Sequence, residues 1–168
     1  MAGPVQQNRP TSRPCHAFDW VMRAALWLAY RILLVWWFVF RPQHHGAMIA
    51  VWLGDRILMV RHSYRSRLSW PGGGVGRGEE PADAAIRELH EELGLAADRA
   101  ALVFVEKILE RREYRYDHIW IFELKLTALP TLEPDGREVV AADFMKPTDV
   151  LGLPLAPFIR AYLQRRVA

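Results

Sequence analysis

Between Ser69 and Gly78, five glycines (Gly72, Gly73, Gly74, Gly76 and Gly78) run into a segment with helical periodicity, and this junction constrains the chain more than any other stretch. Pro81 fits the first position of a helix and Gly94 the residue after its last turn, so the pattern predicts a helix over Pro81–Leu93. At 100° per residue, Glu88, Glu91 and Glu92 fall within an arc of about 100°. Ala82, Ala85, Ile86, Leu89 and Leu93 cluster on a different face, the one that buries. Such a helix needs an apolar layer on one side and, beside it, an environment that tolerates three carboxylates.

Clustered carboxylates repel one another, and the segment carries no lysine at the i+4 spacing that neutralises a merely solvated acidic face. A hard divalent cation removes the conflict. Magnesium takes a few carboxylates and completes its shell with water and phosphate oxygens. Glycines ahead of a helix N-terminus let the backbone approach a phosphate or a metal closely.

Strand patterns surround the junction. Ala47–Leu53 and Ile57–Val60 read as a hairpin about Gly54-Asp55. Leu102–Ile108, His118–Leu126 and Val139–Met145 read as further strands, Arg61–Leu68 as a basic loop, and Pro157–Arg165 as a closing helix. Strands mixed with helices imply an α/β sheet covered by helices. The 168 residues suit one such domain, and the single cysteine, Cys15, forms no internal disulfide, which fits a reducing cytoplasm. The net charge of +3 is spread along the chain without a basic stripe, so no nucleic-acid polymer is expected as a partner.

The N-terminal quarter is different. Residues 1–17 are polar with three prolines and read as a flexible arm. Residues 18–41 read as an apolar helix and 46–168 as the α/β domain. Val21–Phe40 is apolar except for Arg23 and Arg31, which share one side of a helix. The insertion cost of two arginines, about 2.5–3.5 kcal/mol each, nearly cancels the gain from the apolar residues. Three placements stay open: packed on the domain, lying in a membrane interface, or spanning a bilayer.

The glycine loop and acidic helix resemble the signature of the Nudix hydrolases, the MutT-like pyrophosphohydrolases: G-x5-E-x7-R-E-U-x-E-E-x-G-U, with U aliphatic. Gly73, Glu79, Arg87, Glu88, Leu89, Glu91, Glu92, Gly94 and Leu95 fill every specified slot. The likeness extends less specifically from about Gly46 to the C-terminus and leaves residues 1–40 unaccounted for. It implies an α/β/α sandwich around a mixed β-sheet, preceded here by the apolar helix. It implies Glu88, Glu91, Glu92 and the carbonyl of Gly72 as ligands of Mg2+, with Mn2+ as a substitute. Glu79 and Arg87 would brace the loop through an ion pair, with Gly73 and Gly94 shaping it. A late-loop carboxylate corresponds to Glu138, with Glu133 and Asp135 as alternatives. Glu91 or Glu138 would be the general base, with Arg87 beside them in the catalytic set.

The implied reaction is cleavage of a diphosphate bond in a nucleoside diphosphate linked to another moiety. Two alternatives are a nucleotide-binding regulatory module, which this complete box disfavours, and a membrane-attached hydrolase of a lipid-linked diphosphate. Arg61 and Arg65 are candidates to meet a phosphate, and Trp70 and Tyr64 to stack on a base, against the plainer readings of solvated arginines and a core tryptophan. Tyr114, Tyr116 and His118 lie where specificity loops occur in the family. The expected partner is a small nucleotide, and the expected location is the cytoplasm, with residues 21–40 leaving membrane attachment open.

Overall fold

The computed structural model describes residues 17–40, 43–112 and 115–167. The arm expected over residues 1–17 lies, except for Ala17, outside the described residues, as does Tyr114. The elements run α1 (Ala17–Phe40), β1 (Gln43–Leu53), β2 (Arg56–His62), β3 (Leu68–Ser69), β4 (Gly72–Gly74), α2 (Pro81–Leu93), β5 (Val103–Arg112), β6 (Arg115–Leu126), β7 (Val139–Met145), α3 (Pro147–Leu151) and α4 (Pro157–Val167).

The seven strands form one mixed sheet with the order β3-β2-β1-β6-β5, to which β4 adds on β1 and β7 on β2. β1 lies parallel to β6 over its full length, from Gln43 opposite Tyr116 to Leu53 opposite Leu126. β1 and β2 pair only at their turn, Trp52 with Ile57 and Leu53 with Arg56. Beyond that turn β1 takes β4 as its antiparallel neighbour, and β2 takes β7. The sheet therefore divides between β1 and β2, and the carboxylate helix sits where it divides.

β1 is apolar at every position from Ala47 to Leu53 because both faces of the strand are covered. Ala47, Ile49 and Val51 join Leu89 and Leu93 of α2 in one layer. Met48 and Ala50, pointing the other way, join Trp70, Ile159, Tyr162 and Leu163 in the other. The result is the expected α/β/α sandwich around a mixed sheet. The second layer holds one buried polar chain: the Trp52 indole N–H donates to the Tyr162 hydroxyl at 2.9 Å, and that hydroxyl donates to Glu123 at 2.7 Å. Arg166 completes it by pairing with the same carboxylate.

The elements differ from the sequence expectation where pairing, not periodicity, makes the strand. β1 starts at Gln43 because β6 offers a parallel edge that far. β4 forms inside the glycine loop, and the basic loop is shorter than read, since Arg61 and His62 end β2 and Leu68 opens β3. α3 has too few residues to show a period. The apolar face of α2 takes in Ala84 with Ala85, Leu89 and Leu93, whereas Ile86 is only half-buried.

α1 lies outside both apolar layers. The Arg23 Nε–H donates to the carbonyl of Gly136 at 2.8 Å, and the Tyr30 ring lies 5.2 Å from that of Tyr64. Trp20, Trp27, Leu28, Ile32 and Val35 are exposed. No helix among the described residues is long and apolar enough to cross a membrane.

Leu89 is fully buried between α2 and β1. Leu89→Ala should destabilise the protein by about 2–5 kcal/mol, the cost of a large-to-small change in a packed core, measured by chemical denaturation.

Candidate active site

The site begins with a close approach of backbone to helix. Gly72 holds φ +139°, and a Cβ there would lie 2.2 Å from the Ala47 carbonyl oxygen. Only glycine lets β4 run this close to β1. Gly73 follows, and its missing side chain is the space that the Glu88 carboxylate fills: a Cβ would lie 2.4 Å from the Glu88 Cδ. The Gly72 N–H donates to Glu92 Oε2 at 3.0 Å. Two of the three glutamates clustered on α2 are thus seated on the glycines of β4. At the far end of α2, Gly94 adopts φ 66° and returns its N–H to the His90 carbonyl, ending the helix. His90 itself faces solvent.

Arg87 ties the loop to the helix. Its Nε–H donates to Glu79 Oε1 at 2.9 Å, and its Nη2–H donates to the Gly74 carbonyl at 3.0 Å. Nη1 reaches Glu88 at 2.8 Å and Glu91 at 3.1 Å. Glu79 also accepts the Gly76 N–H at 2.6 Å. The Arg87 hydrogen bond and then this amide hold the Glu79 carboxyl below its usual range. Glu88 is shifted upward by burial, with Arg87 opposing the shift.

Glu92 is the most constrained of the glutamates. It is 4% exposed, and burial pushes its pKa up to about 9, with Glu138, Glu88 and Asp135 adding repulsion and the Gly72 amide opposing it. Ligand atoms of Glu92, Glu138 and His62 lie within 4.8 Å of one another. The Tyr64 hydroxyl donates to Glu138 Oε1 at 2.5 Å, and burial, then Glu138, raises the Tyr64 pKa. A buried carboxylate with carboxylate neighbours and one amide donor is short of positive charge. The donor set therefore fits a divalent cation of the oxygen-seeking kind.

The late-loop candidates separate cleanly. Asp135 accepts the N–H groups of Arg137, Glu138 and Val139, so it shapes the loop. The Glu133 side chain packs against Gly94. Glu138 is the one beside Glu92. Glu91 is exposed and engaged with Arg87, outside the tight cluster. His62 was not among the sequence candidates. The sequence carries no signal for it, because it comes to the site through the pairing of β2 with β7.

The cluster opens on a cavity of about 500 Å³ whose lining includes His62, Gly72, Gly73 and Glu138. Arg65 also lines it, with its guanidinium 5.4 Å from the centre of the Tyr30 ring and 5.3 Å from that of Tyr64. Arg61 is exposed on β2 and does not line it. Trp70 requires a correction. It is fully buried, edge-on to Tyr162 at 4.9 Å and to Phe158 at 5.8 Å, so it is a core residue and cannot stack on a ligand. His118 stacks on His45 at 5.1 Å, away from this cavity.

Comparison with known proteins gives the relatives of this sequence and of its fold. The NUDIX domain family model matches residues 42–165. An RNA pyrophosphohydrolase of Bartonella bacilliformis is 50% identical over 48 residues, covering 27% of this chain and 28% of that protein. A probable DHNTP pyrophosphohydrolase of Lactococcus lactis is 31% identical over 89 residues, 48% of this chain and 54% of that protein. The chain thus spans between about a quarter and a half of the length of these relatives. The crystal structure of a MutT protein from Methanosarcina mazei superposes with a TM-score of 0.63 at 16% identity, covering 75% of this chain and 94% of that one.

Two expectations follow. Gly72→Ala must displace backbone and adopt a strained φ, so it should lower the melting temperature, at a cost of about 1–3 kcal/mol for the φ alone. Gly73→Ala meets only the end of a flexible side chain, so it should leave the melting temperature near wild type while dislodging Glu88, which a crystal structure would reveal. Second, between the ordinary carboxyl value of 4.5 and about 9 the folded protein keeps a proton on Glu92 that the unfolded chain has lost. Metal-free protein should therefore lose stability as pH rises through that window, and Glu92→Gln should flatten the dependence. Thermal melts in chelator across pH check both signs.

Proposed function

The chain belongs to the NUDIX family, and from that premise we propose that it is a metal-dependent hydrolase of the diphosphate bond in a nucleoside diphosphate linked to another moiety. The observation that carries this reading is Glu92: a buried carboxylate, next to Glu138 and Glu88 and bonded to the amide of Gly72, with Gly72 and Glu138 both lining the cavity.

Glu88 and Glu92 would hold Mg2+ or Mn2+, with Glu91 and the Gly72 carbonyl as the further ligands that the family signature implies. Bound there, the cation would neutralise diphosphate oxygens and the charge that develops on the departing phosphate. Arg87 keeps Glu88 in place and fixes the glycine loop against the helix. Glu138 is the residue best placed to take the proton from an attacking water, because it lines the cavity and Glu91 does not. Water oxygen bonds to one phosphorus, the anhydride P–O bond breaks, the leaving phosphate takes the electron pair, and the Glu138 carboxylate takes the proton. The Tyr64 hydroxyl orients this carboxylate through the bond it donates to Oε1.

The names of the relatives point to different substrates, RNA in one and DHNTP in another, so the shared element is the pyrophosphate bond. A small-molecule nucleotide suits a cavity of about 500 Å³ better than a polymer does. The reading places the enzyme in the cytoplasm, in keeping with a fold that uses no disulfide.

A screen of nucleoside diphosphate compounds with magnesium, reading release of phosphate-containing products, tests the activity. Glu92→Gln and Glu138→Gln should each lower kcat by about 100-fold or more while remaining folded by circular dichroism. Normal turnover in both variants would refute the assignment.

A further inference from the structure

The cavity over the carboxylates has two unlike halves. One is polar: the glycine backbone of β4, His62, Asp117 and Glu138. The other is built largely by α1, whose Leu26, Ala29, Tyr30 and Leu33 face Met48 and Ile119 across the opening. This second half lies outside the region that the family model matches, since α1 ends at Phe40 and the match begins at residue 42.

Contacts along α1 hold it over the site, two of them beside the site carboxylate. Arg23 bonds the carbonyl of Gly136, two residues before Glu138. Tyr30 packs on Tyr64, and Arg65 lies over both rings. The same Tyr64 donates to Glu138. The helix therefore meets the domain at the loop and at the tyrosine that position the site carboxylate. Its inner apolar side chains are left facing the space above the diphosphate-binding half.

We propose that α1 forms a substrate subsite, an apolar wall that takes the apolar part of the group carried by the diphosphate, with Leu26 and Leu33 determining specificity for that group. The inference rests on the hydrolase reading above. A charged diphosphate belongs at the polar half, and removing an alkyl or aromatic surface from water against the α1 face supplies binding energy at the other. An alkyl chain and a nucleobase share this chemistry, and the substrates below separate them.

The test uses the full chain with magnesium and three substrates: methyl diphosphate, octyl diphosphate and adenosine diphosphate. Wild type should prefer the octyl or the adenosine compound to the methyl compound by at least about tenfold in kcat/KM, about 1.4 kcal/mol, and the one preferred identifies the group. Leu26→Glu and Leu33→Glu should each bring that ratio towards one, chiefly through KM. Both residues lie outside the two apolar layers, so the variants should fold, which melting curves verify. Tyr30→Ala should reduce the same ratio by loosening the helix. A wild-type preference that survives in both leucine variants, or no wild-type preference over methyl diphosphate, overturns the subsite. Failure of wild type to cleave any diphosphate in this set or in the nucleotide screen overturns the hydrolase reading instead.

Discussion

The contact between β4 and α2 governs the site because it brings peptide backbone to within hydrogen-bonding distance of a carboxylate helix. An ordinary strand would hold the helix off by the length of its side chains, about 10 Å between layers as in packed sheets. Glycines at 72 and 73 remove that spacer. Glu88 then fills the vacated volume and Glu92 takes the Gly72 amide. The remaining layers serve this approach. Leu89 and Leu93 anchor the opposite edge of α2 in the core, and Arg87 locks the loop to the helix from outside. A helix with its apolar face buried and its acidic face pressed against backbone has little freedom to turn, so the carboxylates are preorganised before any ligand arrives.

That arrangement stores an electrostatic cost. Burying Glu92 beside Glu88 and Glu138 disfavours its charged form, and one amide does not offset it. Arg87, the cation nearest the cluster in sequence, is directed at Glu79, Glu88, Glu91 and Gly74 instead. Braced to the outside and deficient in positive charge on the inside, the site is poised for an added cation in a way that a solvated acidic helix is not. The same logic explains why the loop residue Asp135 is spent on three backbone amides: it fixes the turn from which Glu138 projects.

How much of this the sequence discloses depends on whether a feature is local. The bounds of α2 are readable because Pro81 and Gly94 punctuate an unbroken period, and β7 because Val139–Met145 is a short apolar run, broken only by Asp143, after a Pro- and Gly-containing loop. β4 is not readable. Three glycines carry no side-chain pattern, and their strand character comes wholly from pairing with Gly46, Ala47 and Met48. His62 comes to the site by the same kind of long-range pairing. Trp70 misleads for a related reason: its position beside the glycine loop suggests a ligand contact, but the turn at Pro71 sends its side chain to the opposite face, against Phe158 and Tyr162.

α1 shows the converse. Its composition declares a helix, yet composition cannot say what an apolar helix faces. The decisive residues are Arg23 and Tyr30, which interrupt the apolar surface with groups able to meet a carbonyl and a tyrosine ring. Both contacts land on the segments that flank Glu138, Gly136 from one side and Tyr64 from the other. A helix whose only role was to shield apolar surface would be expected to merge with a core layer, and this one joins neither. Its attachment by polar and aromatic contacts at the site's rim, with leucines lining the cavity, is the arrangement that the proposed subsite requires.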